Sequence, residues 1–277
     1  MQTQPNQGVQ PAAVAGLFYP AEPEQLQHDV DRFLHSAEIE MARKAPASTC
    51  PRALIAPHAG YIYSGAVAAA AYARLIPYAD QISRVIVLAP AHRLGFRGLA
   101  TASADQFSTP IGRVPVDVEL RERLLAAIPA LHSVDEAFTQ EHALEVQLPF
   151  LQRLLTDFSI VPILVGDADP ADVQALIDLC WDGPGTLIVV SSDLSHFHDY
   201  HTAEQLDRNT SENIVEKHPE SIAYGDACGR IPINGLLLLA REKDLQVQLV
   251  ARCNSGDTAG DKQRVVGYGA FALAEPA

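Results

Sequence analysis

The sequence predicts an α/β protein, a sandwich in which helices cover both faces of a central, mostly parallel sheet. Short apolar runs rich in β-branched residues alternate along the chain with stretches of helical periodicity. The runs are almost continuously apolar, which is typical of strands buried on both faces. Because no internal repeat or linker divides the 277 residues, we expect a single domain over 12–277 and a flexible tail over 1–11.

The individual elements follow from the same patterns. Strands are predicted for the runs that end in Pro, Gly, Ser or a polar residue: 52–57, 84–90, 159–166, 186–191, 245–253 and 265–273. Helices are predicted at 65–75, 118–127, 141–155, 171–180, 203–217 and 232–241. This alternation favours a parallel sheet with helices on both faces. The segment 107–115 contains Pro and Gly and is expected to be a loop that could cover a site.

Charge excludes two classes of partner. The chain carries 34 acidic and 20 basic residues, a net charge of −14. A nucleic-acid-binding surface needs Lys and Arg to neutralise phosphates, and anionic membranes repel an acidic protein. The polar first residues lack the apolar segment of a signal peptide, and no run approaches the ~20 apolar residues of a transmembrane helix. We therefore expect a cytoplasmic protein with neither nucleic-acid nor membrane partners.

The four cysteines are too sparse for a disulfide scaffold, and none forms a CxxC pair typical of a zinc ribbon. We expect reduced thiols. Cys228 precedes the predicted helix 232–241, and the positive end of that helix, together with Arg230, would favour the thiolate. A small buried hydrophobe is an equally good interpretation of Cys228.

Polar residues follow three of the predicted strands. His58 and His92 each come directly after a strand, and Asp193 and His196 follow a third. Ligands of open α/β sheets bind outside the carboxyl ends of the strands, so these residues indicate a site. Neutral imidazole is the commonest metal ligand in proteins, Asp193 could orient an imidazole, and His196 could act as a general base. A turn or helix cap is an equally good interpretation of 191–193.

One more histidine belongs to the candidate site. His142 and Glu145 lie three residues apart in the predicted helix 141–155, so they share a helix face, with Glu141 close by. That face is either solvated or at the rim of a pocket.

Several blocks of the sequence resemble one known family. They are AAVAGLFYPAEPEQL at 12–26, PHAGYIYSG at 57–65, LAPAHR at 88–93, TPIGRVPVD at 109–117, EHALEVQLPFL at 141–151, SSDLSHF at 191–197, and DACGR with IPINGLLL at 226–238. The blocks run in order through nearly the whole chain. The resemblance is to the Memo-like family, whose bacterial and archaeal members are often labelled AmmeMemoRadiSam system protein B.

This resemblance implies a fold similar to that of LigB-type extradiol ring-cleavage dioxygenases, with a non-haem metal pocket. His58 and His92 match the two histidine ligands. Cys228 matches the family's cysteine, which stands where the dioxygenases use a glutamate ligand. Two histidines and a thiolate suit iron or copper, with zinc a further option, and the sulfur makes the site softer than a carboxylate would. His196 matches the acid/base of the dioxygenases, and Asp193 and His142 match other pocket residues, so these three are the catalytic candidates.

Three functions follow as hypotheses. The first is a metal-binding redox protein, an iron- or copper-dependent oxidoreductase that acts on an unknown small molecule. The second is a non-catalytic binding module whose pocket receives a small anion or an acidic or phosphorylated peptide. The third, which rests on the family label alone, is an accessory protein with radical-SAM and AMMECR-type partners.

Overall fold

A computed structural model describes residues 8–43, 49–183 and 185–276 of the chain. Its helices are α1 (Pro23–Ala42), α2 (Tyr61–Ala73), α3 (Val118–Ala127), α4 (Leu148–Leu154), α5 (Pro170–Trp181), α6 (Tyr200–Val215) and α7 (Arg230–Glu242). Its strands are β1 (Val9–Gln10), β2 (Ala53–Ala56), β3 (Arg84–Pro90), β4 (Leu99–Thr101), β5 (Gln106–Thr109), β6 (Gly112–Pro115), β7 (Leu131–Ser133), β8 (Ser159–Val165), β9 (Thr186–Ser191), β10 (His196–His198), β11 (Gln246–Asn254) and β12 (Val265–Ala274).

A nine-stranded mixed sheet forms the centre of the molecule. Its strand order is β10-β12-β2-β9-β3-β8-β4-β7, and β11 also pairs with β12. The four strands β2, β9, β3 and β8 are mutually parallel, whereas β12 is antiparallel to β2 and β4 is antiparallel to β8. The predicted α/β architecture is present, but the prediction of a mostly parallel sheet is wrong outside the centre. An antiparallel strand covered on both faces is as apolar as a parallel one, so hydrophobicity could not reveal the reversal.

Each face of the sheet carries its own apolar core. Side chains alternate along β3, so that Val85 and Val87 join the core beneath α1, α2 and α4, while Ile86 and Leu88 join the core beneath α3, α5 and α7. All four are fully buried. Burial of each such side chain contributes about 1.5–3 kcal/mol to folding, which holds the strand rigid and fixes the position of its carboxyl end.

The predicted helix 141–155 is confirmed only in its second half. Residues 141–144 form a turn, a 3₁₀ segment covers Glu145–Gln147, and α4 begins only at Leu148. The Glu141 carboxylate accepts the backbone N–H groups of His142 and Ala143, both at 3.0 Å, and so holds the chain in a turn. The hypothesis that His142 and Glu145 share a helix face is therefore wrong.

The expected loop 107–115 is instead a hairpin. Strands β5 and β6 pair antiparallel, with Phe107 opposite Val114, and both of these side chains are buried in the core. Residues 1–7 of the expected flexible tail lie outside the described residues, but Val9–Gln10 forms β1 and pairs with β5. Residues 8–11 are therefore structured, contrary to the prediction. Helix α1 was missed altogether, although Leu26, Val30 and Leu34 are spaced four residues apart and buried.

Within the parts of the chain that the structure describes, no helix combines the length and the apolar character needed to cross a bilayer.

Candidate functional site

Two strand ends and one helix start bring His58, His92 and Cys228 together. His58 lies two residues beyond β2 and His92 two residues beyond β3, and both strands are parallel neighbours of β9. Cys228 immediately precedes the first turn of α7. One potential ligand atom from each of the three residues lies within 4.8 Å of the other two, and Nε2 of His58 lies 3.3 Å from Sγ of Cys228.

The hydrogen bonds of Ser191 determine the tautomer of His58. The Ser191 hydroxyl donates to the Ala143 carbonyl at 2.6 Å, and it accepts from the Gln147 amide at 2.8 Å. Its remaining contact is with Nδ1 of His58 at 2.9 Å. Because a hydroxyl has only one proton to donate, Nδ1 of His58 must be the donor here. The lone pair of the ring therefore lies on Nε2, the atom that faces Cys228.

Gln147 is itself held in one orientation. Its amide nitrogen also donates to the Pro57 carbonyl at 3.0 Å, and its amide oxygen accepts from the Tyr72 hydroxyl at 2.9 Å. The carbonyl can only accept, which fixes which end of the amide carries the nitrogen. A buried chain of hydrogen bonds thus runs from Tyr72 through Gln147 and Ser191 to His58.

A buried carboxylate determines the tautomer of His92, as Ser191 does for His58. Glu141 accepts the backbone N–H of His92 at 2.6 Å and faces Nδ1 of its ring at 3.0 Å. The Nδ1 proton is therefore directed at the carboxylate, and Nε2 again carries the lone pair. Burial works to raise the pKa of Glu141, but the contacts from His142, His92 and the Ala143 N–H outweigh it and hold the pKa well below its usual range.

His142 completes a group of three neighbouring imidazoles. Its ring centroid lies 4.8 Å from that of His92 and 5.3 Å from that of His58. Burial, and then the rings of His92 and His142, hold the pKa of His58 well below its usual range. The buried ring of His58 is therefore neutral near pH 7, as a metal ligand must be.

The sulfur of Cys228 lies in a tight junction between α7 and the end of β9. The backbone N–H of Asp193 points at Sγ from 3.3 Å, and the Gly229 N–H donates to the Ser192 hydroxyl at 2.9 Å. A Cβ at Gly229 would come within 2.6 Å of the Ser192 Cβ, so only glycine allows this approach. Burial and the neighbouring Asp193 raise the pKa of the Cys228 thiol to about 12. The prediction that the helix start and Arg230 favour the thiolate is therefore wrong for the protein without a metal ion.

Asp193 holds the main chain and not a ring. Its Oδ1 accepts the backbone N–H of His58 at 2.8 Å, while Oδ2 lies 4.0 Å from Nε2 of the same histidine. Burial raises the pKa of this carboxyl. The expectation that Asp193 orients an imidazole is therefore wrong. Ser191 orients the ring of His58, and Glu141 orients the ring of His92.

His196 separates two cavities. It starts β10, and its Nδ1 lies 2.8 Å from the Leu194 carbonyl, which leaves Nε2 with the lone pair. One cavity of about 470 Å³ is also lined by His142 and Asp193, and another of about 920 Å³ is also lined by His92 and Cys228. His196 lines both and lies outside the close group formed by His58, His92 and Cys228. Its ring can therefore be reached from either cavity.

The donor set fits a transition-metal ion. Two imidazole nitrogens and one sulfur lie close together, and both rings have their other nitrogen engaged by a buried acceptor. Softer N and S donors of this kind suit iron, copper or zinc better than magnesium or calcium. His92, Glu141 and His142 form a second close group, but Glu141 is already occupied by four hydrogen bonds.

Few features of the sequence pointed to the supporting residues. Ser191 was considered only as part of a turn motif, and Gln147 lies in an apolar segment without any distinguishing spacing. Glu141 was considered as a neighbour of His142 on a helix face, but it acts on His92 from 49 positions away. The one signal for Glu141 and Gln147 was their polarity beside leucines that the structure buries.

Comparison with known proteins shows the family to which the chain is similar. The model of the family described as Memo-like protein matches residues 10–272. The chain is similar to a MEMO1 family protein of Methanosarcina mazei, with 34% identity over 272 residues that cover 94% of this chain and 97% of that protein. MEMO1 family proteins of Aquifex aeolicus and Thermotoga petrophila are 34% and 32% identical, covering 94% and 92% of this chain and 97% and 96% of their own lengths.

Proposed function

The chain belongs to the Memo-like protein family, and for this member we propose a redox function that depends on iron or copper held by His58, His92 and Cys228. The observation that carries the proposal is the 3.3 Å contact between Nε2 of His58 and Sγ of Cys228. Both ligand histidines have their Nδ1 proton engaged by a buried acceptor, so their free lone pairs lie on Nε2. This support for the far side of the ring is typical of histidine ligands to metals.

The bound metal would supply electron transfer or the activation of oxygen. The chain's own residues then perform the remaining tasks. The cavity of about 920 Å³ beside Cys228 has room for a small-molecule substrate. Nε2 of His196 takes up or gives a proton at the boundary of the two cavities, as a general acid or base. Asp193 holds the backbone of His58 in place, and His142 closes the smaller cavity beside it.

A further relation to LigB-type extradiol dioxygenases is part of this proposal. It is supported by the position of both histidines at the carboxyl ends of parallel strands in one α/β sheet. The thiol in place of a carboxylate ligand argues for a different reaction, because sulfur makes the site softer and can itself be oxidised. Partners of the radical-SAM and AMMECR type are proposed from the family label alone.

The deciding experiment is the metal content of the full chain purified without chelators. We expect roughly one iron or copper ion per chain in the wild type and almost none in Cys228→Ser. Cys253→Ser is the matched control, because Cys253 is also partly exposed but lies outside the group of ligands, and this variant should keep its metal. Full metal content in Cys228→Ser would refute the ligand assignment.

One observation favours a second candidate function, the binding of a small anion or of an acidic or phosphorylated peptide without catalysis. Arg97 and Arg230 both line the cavity beside Cys228, and neither forms an ion pair with any residue that the structure describes. In a chain of net charge −14, two such guanidinium groups at one cavity favour an anionic ligand. Binding of phenyl phosphate to the metal-free protein, weakened in Arg230→Gln and unchanged in Arg113→Gln, would support this function. Absence of binding would remove it.

A further inference from the structure

A third cavity, of about 380 Å³, lies between α1, α2 and β11. It shares no lining residue with the two cavities beside His196. Phe33 and Met41 of α1, Val67 and Ala70 of α2, and Val250 of β11 make most of its wall apolar. We name it the α1–α2 cavity. Its volume falls within the range of about 300–1,000 Å³ that is usual for cavities that bind small molecules.

Arg74 makes this cavity unusual. It follows the last residue of α2 and lines the cavity, and only 5% of its surface is exposed. Its Nε and Nη1 atoms have no hydrogen-bond partner, and no carboxylate among the described residues forms an ion pair with it. A guanidinium group does not lose its proton in proteins, so burial without a partner is unfavourable for the charge that remains.

The surrounding residues do not compensate this charge. Of the described residues that line the cavity, Glu40 alone carries a carboxylate, and it pairs with Arg43 on its own helix. The carbonyl end of α2 is close to Arg74 and carries a partial negative charge, but a helix terminus balances only a fraction of a full positive charge. An anion that enters the cavity from outside would balance this charge.

We infer that the α1–α2 cavity binds a small amphipathic carboxylate, of the class of a medium-chain fatty acid, with its carboxylate on Arg74 and its hydrocarbon chain along Phe33, Val67 and Ala70. A planar guanidinium group can donate two parallel hydrogen bonds to a carboxylate. The apolar wall would remove the hydrocarbon from water, which stabilises the complex further. This site is separate from the metal site and does not depend on the function proposed there.

Decanoate is a suitable probe for calorimetric titration of the full chain. We expect decanoate to bind, and expect acetate, which lacks the chain, and decanol, which lacks the charge, each to bind at least roughly 10-fold more weakly. His58→Ala should bind decanoate as the wild type does, because the cavity lies apart from His58. Loss of decanoate binding in His58→Ala would place the ligand at the metal site and overturn the inference.

Two variants test the two halves of the cavity. Arg74→Met removes the charge and should weaken decanoate roughly 10–100-fold. It should also raise the melting temperature of the ligand-free protein, since a buried unpaired charge is removed. Ala70→Leu keeps Arg74 but fills the cavity, and should abolish binding. Ala126→Leu, at an exposed position of α3, is the matched control and should bind decanoate normally.

Three results would contradict the inference. The first is wild-type protein that does not bind decanoate. The second is a fall in the melting temperature of ligand-free Arg74→Met with unchanged decanoate affinity, which would make Arg74 a structural residue. The third is a change of sedimentation coefficient in Arg74→Met and Ala70→Leu but not in Ala126→Leu, which would mean that a second copy of the chain covers the cavity.

Discussion

The hydroxyl of Ser191 lies 2.9 Å from Nδ1 of His58, and this contact decides which nitrogen of the ring faces Cys228. The hydroxyl uses its single proton on the Ala143 carbonyl, so the ring must donate to it. A ligand histidine in which the wrong nitrogen carried the proton would have to change tautomer before binding a metal. If the site holds a metal, as proposed, Ser191 would set the tautomer of His58 before an ion binds.

Ser191→Ala should weaken metal binding while leaving the fold intact. Without the hydroxyl, Nδ1 of His58 loses its acceptor and both tautomers become accessible. We expect metal affinity to fall about 10–100-fold, the usual effect of removing such a support. The measurement is competition with a chelator of known affinity. Ser211→Ala removes a buried hydroxyl in α6 that lines neither cavity beside His196, and it should leave the affinity unchanged. An unchanged affinity in Ser191→Ala would remove the tautomer argument.

Two buried glutamates four residues apart should behave differently. Glu141→Gln should lower metal affinity about 10–100-fold, since it removes the charged acceptor of His92 Nδ1. Glu145 instead accepts the backbone N–H groups of Ala13 and Val14 and the Tyr19 hydroxyl. Glu145→Gln should therefore lower the free energy of unfolding, by about 1–3 kcal/mol, and spare the metal. If both variants changed metal affinity equally, Glu141 would have no special role at His92.

Acid unfolding tests the lowered pKa of Glu141 independently of metal binding. Its pKa is held below the usual range, so the carboxylate stabilises the fold fully above its unfolded value of about 4.3. That contribution is lost as the pH falls below about 4.3 towards the lower pKa of the folded state. We expect the stability of Glu141→Gln to depend less on pH than that of the wild type in this window. Parallel pH profiles would contradict the lowered pKa.

Substitution of His196 should affect turnover, whereas substitution of a proposed ligand should affect metal content. His58→Ala and His92→Ala should lose the metal, because each removes a nitrogen donor. His196→Ala should keep the metal and lower any oxygen-dependent turnover by ~10²–10⁴-fold. Metal content, melting temperature and oxygen consumption of the three variants distinguish these outcomes. Loss of metal from His196→Ala at unchanged melting temperature would make His196 a ligand.

Metal affinity should rise with pH through the neutral range. Burial and Asp193 raise the pKa of Cys228 to about 12, so below that pH each ion that binds must displace one proton from sulfur. Burial keeps the pKa of His58 low, so its ring adds little competition. We expect affinity to increase about tenfold per pH unit between about pH 6.5 and pH 9. A flat profile would indicate carboxylate ligands in place of Cys228.

The sequence predicted the strands that build the site better than the segments that support it. Strands β3 and β9 match their predicted ranges because their side chains are buried on both faces and remain continuously apolar. The turn at 141–144 could not be predicted in this way. Leu144, Leu148 and Leu151 have helical spacing, but the Glu141 carboxylate binds the N–H groups that would begin the helix. The same carboxylate also accepts from His92, which is distant in sequence.

The candidate ligands could be predicted from their positions in the sequence, but the protonation state of the Cys228 thiol could not. Strand ends and a helix start placed His58, His92 and Cys228 correctly in one neighbourhood. For Cys228 the sequence left a thiolate and a buried, unionised thiol as equal alternatives, and a helix start and Arg230 were the influences in favour of the thiolate. Burial beside Asp193 acts in the opposite direction, and burial is a property of the folded chain.

The hydrogen-bond chain from Tyr72 to His58 would link the metal preference of the proposed site to the interior of the protein. Tyr72 is fully buried and its ring is stacked on Phe150, with centroids 5.1 Å apart. A shift in that stack would move Gln147, then Ser191, and finally the imidazole at the site. If the site holds a metal, substitutions in the core around Tyr72 would change its metal selectivity without altering any residue that faces the site. A search for variants with altered metal selectivity should accordingly include the interior around Phe150 as well as the visible pocket.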